Sequence, residues 1–220
     1  MLPDTYLGLF LPHVIPHCPS CPDPVALHML RRAAQRFCER TKAWRYTTTQ
    51  PVITNGPVVV TPTPSQIVEI ESATFDGAEL SPSTFVYADP EQLTGQVSTG
   101  RPLRITQVGP GSVQIEPFTA GTLRLSLFLK PRPGRSLSGS PSDPLRDTLD
   151  MVPSFLFDQH ADAIAAGALA LILAVPDQAF SNPQMAGAYG AVFEAACAEL
   201  EAVSRRGQQR APRRVPARWL

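Results

Sequence analysis

The sequence predicts an α+β protein: an N-terminal helix, an antiparallel β sandwich or barrel-like middle, a C-terminal antiparallel helical hairpin and an extended basic C-terminal arm. Three observations carry this reading. Apolar residues recur every three or four positions near the start and again near the end of the chain, but every second position in between. The 24 prolines among 220 residues, about twice the usual share, favour turns and extended connections over an all-helical bundle. The charge, 19 basic against 19 acidic residues, is segregated: six arginines and no acids occupy the last sixteen residues.

Residues 1–22 read as an extended N-terminal arm, because prolines punctuate "HVIPHCPSCPDP". His13, His17, Cys18 and Cys21 lie close together there, and a CxxC with nearby histidines could satisfy the tetrahedral preference of zinc. No second CxxC follows, so His17, Cys18 and Cys21 remain weak metal candidates and no cofactor is expected. "CPDPVALHMLRRAAQRFCERTKAW" then reads as one amphipathic helix, with Asp23 as N-cap and Pro24 at the first helical position. Its apolar face is Leu27, Leu30, Ala34, Phe37, Thr41 and Trp44.

Residues 46–131 form the β domain, with "VVVT", "QIVEIES", "PLRIT", "SVQIEP" and "TLRLSLFLK" as β-rich runs of an expected five to seven strands. In the last run Leu123, Leu125, Leu127 and Leu129 share one face while Arg124, Ser126 and Phe128 share the other. Asp76-Gly77 signals a type I′ hairpin, whose two central residues both need positive φ. "PRPGRSLSGSPSDP" is too poor in apolar residues to pack, so residues 132–149 are expected to be a flexible loop.

The helical domain is expected to combine residues 23–45 with 150–206. "ALALILAVPDQAFSNPQ" contains a helix end at Pro176 and a new start, with Ser181 or Asn182 as cap and Pro183 first in the helix. The connection is short, so the two helices should fold back on each other. Tyr189, Val192, Ala196, Leu200 and Val203 are the expected buried stripe of the second helix. The longest apolar run, Ala163 to Val175, is too short to span a bilayer, which takes about 20 residues. No secretory signal opens the chain, and four cysteines without an export signal are expected to be reduced, so a soluble protein made in a cytoplasm is expected.

Residues 207–220 form the basic arm. Arg205, Arg206, Arg210, Arg213, Arg214 and Arg218 precede an apolar end, Trp219 and Leu220. The remainder holds 13 basic and 19 acidic residues, a net charge of −6. Such an arm suits docking on an acidic surface or on nucleic acid. Asp158, His160 and Asp162 are the densest acid and histidine group, but on a helix 158 and 162 share a face that His160 does not. With no GxSxG elbow, HExxH pair or GxxxxGK[ST] loop, enzymatic chemistry is not expected.

In this order the parts resemble the head-to-tail adaptor (neck or connector) proteins of tailed bacteriophages, particularly those of short-tailed phages. The likeness rests on "PVALHMLRRAAQRFCERTKAW", "IVEIESATFDGAEL" and "AGALALILAVPDQAFSNPQMAGAYGAVFEAA". It implies a ring, usually of twelve copies, that docks under the portal protein, lines the DNA exit channel and carries a downstream tail or nozzle protein. The resemblance puts the chain in the virion neck, with packaged DNA passing through it and no membrane. On this view Leu169, Ile172, Tyr189 and Phe193 are candidates for the subunit interface, and the six tail arginines with Trp219 and Leu220 for the portal contact. The other class open at this stage is a nucleic-acid-binding module acting through the basic tail.

Overall fold

A computed structural model describes residues 4–62, 65–83, 100–132 and 151–205. The chain divides into two compact units, Trp44–Arg132 and the rest, Met1–Ala43 with Pro133–Leu220. Both α and β elements are present, in four helices and three sheets among the described residues.

In the second of these units, strand β1 (Asp4–Tyr6) pairs antiparallel with β10 (Met151–Pro153), register Thr5 opposite Val152. The segment that follows is not an extended arm. Leu7–Phe10 is a 3-10 turn, α1 (Leu11–Val14) a short helix, and Ile15–His17 another 3-10 turn. Proline misleads here because Pro12 and Pro16 sit in first turns, where a missing N–H costs nothing. Leu7, Phe10 and Val14 are fully buried, so this segment is core.

Helix α2 spans Asp23–Thr41. Its N-cap is Pro22 rather than Asp23, without a side-chain cap bond, and Asp23 instead places its charge in the first turn, where the helix dipole favours an acid. Ala26, Leu30, Ala33, Ala34, Phe37, Cys38 and Thr41 are buried, and Thr41 Oγ1 donates to the Phe37 carbonyl at 2.7 Å. Lys42 closes the helix in the left-handed region (φ 52°).

Helix α3 (Ser154–Leu173) packs against α1, α2 and α4 (Pro183–Arg205). By length and composition α3 could cross a membrane, yet every residue from Ile164 to Leu169 is buried inside this unit. Between α3 and α4, Asn182 N–H donates to the Leu173 carbonyl at 2.9 Å, and Asn182 Oδ1 accepts from Met185 N–H at 3.1 Å, an N-cap bond. Gly167 lies against Phe193, and Gly190 against Ala170; the order reverses, so the helices run antiparallel. The buried side of α4 is Ala186, Phe193 and Cys197. Val192, expected in that stripe, is 56% exposed.

The other unit holds strands β2 (Arg45–Val52), β3 (Val58–Val59), β4 (Ser65–Phe75), β5 (Ala78–Glu79), β6 (Ser81–Pro82), β7 (Arg104–Gly109), β8 (Ser112–Glu116) and β9 (Gly121–Pro131). They form two four-stranded sheets, ordered β2-β9-β4-β5 and β3-β8-β7-β6, antiparallel except for the β6–β7 pair. The eight strands among the described residues exceed the five to seven expected, the extra ones being two-residue edges too short to show a period. Strand β9 ends at Pro131, the expected end of the β domain. Leu123, Leu125, Leu127 and Leu129 of β9 are buried, each burial worth about 2 kcal/mol. Phe128 on the opposite face is buried as well, under the Arg45 guanidinium at 5.3 Å from its ring centroid. Asp76 (φ 46°) and Gly77 (φ 82°) make the turn into β5, and Asp76 Oδ1 accepts from Thr122 N–H at 2.8 Å. The expected loop over residues 133–149 lies outside the described residues, as does the arm from 206 onward.

The two helices of the α3–α4 pair offer a paired test. A Cβ at Gly167 would sit 2.6 Å from the Phe193 ring, whereas one at Gly187 would meet nothing within 4 Å. Gly167→Ala should therefore destabilise the isolated protein by about 1–3 kcal/mol. Gly187→Ala should stabilise it by about 0.5–1 kcal/mol, because alanine loses less backbone entropy in a helix. Urea titrations of the two variants check both signs.

Candidate functional site

Of the residues expected to contact a neighbouring subunit, Leu169 (2% exposed), Ile172 (0%) and Phe193 (6%) are core residues of their own unit. They cannot reach another copy without unpacking α3 from α4. Tyr189 is half-buried, its ring 5.7 Å from that of His17 at an edge-on angle. The side of α4 that remains outside carries Met185, Ala188, Val192, Ala195, Glu199 and Ala202, all exposed and spaced alternately by three and four. That spacing makes one continuous helix face, apolar and small over most of its length. Composition could have found this stripe; its assignment to the outside needed the phase that Phe193 fixes.

Among the expected portal-binding residues, Arg205 ends α4 and the others, Arg206, Arg210, Arg213, Arg214, Arg218, Trp219 and Leu220, lie outside the described residues. The metal candidates are not assembled as ligands. Cys18 Sγ donates to the Val14 carbonyl at 3.3 Å and Cys21 Sγ to the Pro22 carbonyl at 3.7 Å, while the His17 ring faces Tyr189. Burial, reinforced by the neighbouring Cys21, pushes the Cys18 thiol up to about 11, and burial raises Cys21 too. Among the described residues no group of three His, Cys, Asp or Glu is placed to hold a metal ion.

Asp158, His160 and Asp162 are likewise separated. Asp162 Oδ1 meets His13 Nδ1 at 3.1 Å, and Asp158 is exposed. His160 departs from helical geometry (φ −134°, ψ 15°) and kinks α3, its ring tilted against Phe37 at 4.9 Å and edge-on to Phe155 at 6.3 Å. Phe37 also nears Phe193, and Phe10 packs edge-on against Phe157 at 5.1 Å. The histidine is thus part of an aromatic cluster joining α2, α3 and α4.

A family model described as SU10 adaptor protein matches residues 12–218, nearly the whole chain. The chain belongs to the SU10 adaptor protein family. The match covers the helical unit and the β unit together and runs into the basic tail. A comparison with curated proteins finds no match. As a phage head-to-tail adaptor the protein is a structural component of a virion rather than an enzyme, and it works through contacts with other virion proteins.

The His160 environment makes stability depend on pH. Burial lowers its pKa below the ordinary value of about 6.5, so the native ring holds a proton less readily than the same ring in the unfolded chain. The unfolded chain binds the proton first as pH falls. His160 therefore contributes stability that is complete above about pH 6.5 and drains away as pH falls through the lowered native value. His160→Phe keeps the aromatic contacts and removes the proton, so its melting temperature should fall less between pH 7 and pH 5 than that of the unaltered protein. Parallel thermal melts across that range decide it.

Proposed function

We propose that this adaptor forms a closed ring beneath the portal of a short-tailed phage, continues the DNA exit channel and presents a platform to tail proteins. The observation that carries the reading is the family match over residues 12–218. Twelve copies, the neck position and assembly in the host cytoplasm belong to the same proposal. The outer face of α4 supports it physically: Val192 at 56% exposure and Met185 at 42%, among exposed alanines, are what a helix retains when a neighbour is to cover it. A closed ring lets many modest interfaces hold together, because each copy is gripped on two sides.

The portal contact is assigned to residues 207–220 with Arg205 and Arg206. Six arginines in sixteen residues suit an acidic partner, since each guanidinium can bond a carboxylate through two N–H groups, and Trp219 with Leu220 would anchor in an apolar pocket. The same charge favours nucleic acid as a second reading, which predicts binding that weakens steeply with salt and needs no tryptophan.

Deleting Gln208–Leu220 should leave a folded protein that fails to attach to portal, with DNA-filled heads lacking tails; Trp219→Ala should weaken attachment in the same direction. Tailed, infectious particles from the deletion would refute the arm. Val192→Asp should change the folding free energy by no more than about 0.5 kcal/mol, as an exposed site allows, but abolish ring density in images of portal-bound complexes. Rings formed by that variant would exclude the outer face of α4 as the seam.

A further inference from the structure

Among the described residues strand β2 lies at the edge of its sheet, with β9 as its sole neighbour. Leu129 N–H donates to the Trp44 carbonyl at 2.8 Å, which makes Trp44 and Leu129 a hydrogen-bonded pair. Antiparallel ladders alternate bonded and non-bonded pairs. Continuing the register, Tyr46, Thr48 and Gln50 bond to β9, whereas the backbone groups of Arg45, Thr47 and Thr49 point away from it. Among the described residues no backbone bond reaches those outward groups. Pro51 falls in the outward set, where its missing N–H leaves the ladder intact. Beyond that proline, the threonine-rich edge carries no bulge against β9 that would twist it away from a new strand.

The face beside this edge has a definite chemistry. Thr47, Ser126 and Ser72 stand in one row across β2, β9 and β4, and Thr49, Arg124 and Thr74 in the next. Together they line a shallow cleft of about 320 Å³. In the neighbouring row Arg45 is paired with Glu71 at 2.7 Å, and Ser126 Oγ donates to the same carboxylate at 2.6 Å. Arg124 is exposed and has no side-chain hydrogen bond or ion pair among the described residues. Among the described residues no carboxylate contacts this guanidinium, whose immediate neighbours are hydroxyls; Glu79, the acid in its row, lies beyond Thr74 on β5.

We propose that the free edge of β2 takes an extended segment of another virion protein, added as a strand beside Arg45–Pro51, with an acidic side chain of that segment seated on Arg124. This rests on the adaptor reading. An added strand lies about 4.8 Å beyond β2, hence two strand spacings from β9. The combined reach of an arginine and a glutamate crosses that gap over the small side chain of Thr49. Nucleic acid fits less well, because phosphate tracking uses several cations and Arg45 is already neutralised, leaving Arg124 alone. A second copy fits less well: its own edge strand β2, Arg45–Val52, carries no acidic residue to seat on Arg124, and the other edge strands of the two four-stranded sheets, β3, β5 and β6, are each two residues long.

The test places a photo-crosslinking amino acid at Thr47, with a control at Thr48, in assembled particles, and maps the adducts by mass spectrometry. The expected adduct from position 47 is a peptide of another virion protein with Asp or Glu within two residues of the linked site. Its yield should drop about tenfold with Arg124→Gln, the scale of a lost charge-assisted hydrogen bond, and recover in part with Arg124→Lys. No adduct at 47, an adduct with DNA, an adduct with a segment lacking acids, or a yield unchanged by Arg124→Gln each overturns the proposal. Absence of the chain from the particles would instead sink the adaptor reading; a chain present without the adduct sinks only this one.

Discussion

The helical unit depends on one constraint: α3 is apolar on too many sides to face water. The run Ile164–Leu169 is buried throughout, so each flank of the helix must be covered by other chain. Helices α2 and α4 supply that cover, and the N-terminal turns contribute Phe10 against Phe157. Small residues decide how near the cover comes. Gly167 lets the Phe193 ring lie on the α3 backbone, and Phe193 in turn fixes which side of α4 faces inward. The exposed stripe from Met185 to Ala202 is a consequence of that choice.

In the β unit the corresponding role falls to β9, which pairs with β2 on one side and β4 on the other. Its four inward leucines and buried Phe128 leave few positions free, and the polar ones, Arg124 and Ser126, set the character of the outer face. Strand β4 follows β9 only with two register shifts, between Ile67 and Glu69 and between Ile70 and Ser72. Bulges of this kind bend and twist a sheet, which is consistent with a shallow cleft on the face they border.

An adaptor has to be stable alone and still keep surfaces for others. In this chain the two demands fall on different residues: large aliphatic and aromatic groups fill the units, while the outer face of α4 sets Met185 and Val192 among alanines and the outer face of the β2–β9–β4 sheet is built from threonine, serine and arginine. Such faces bury little on their own and gain affinity chiefly when several contacts close together.

The sequence by itself determined the element types where a local signal was strong. Alternating leucines marked β9, Asp76-Gly77 marked the turn between β4 and β5 through the positive φ both residues need, and Ser181 or Asn182 before Pro183 marked the start of α4 through a cap and a tolerated proline. Charge segregation in the tail was equally plain. What only the tertiary structure decided was direction and cover. Periodicity identifies an apolar helix but cannot say which neighbour buries it, so Leu169, Ile172 and Phe193 looked as fit for another subunit as for their own core. The packed turns over Leu7–His17 hid behind prolines that are harmless in first turns, and the bulges in β4 broke the alternation that a strand pattern relies on. In each case the deciding contact joins residues distant in sequence, such as Phe10 with Phe157 or Gly167 with Phe193, and a linear pattern carries no record of that pairing.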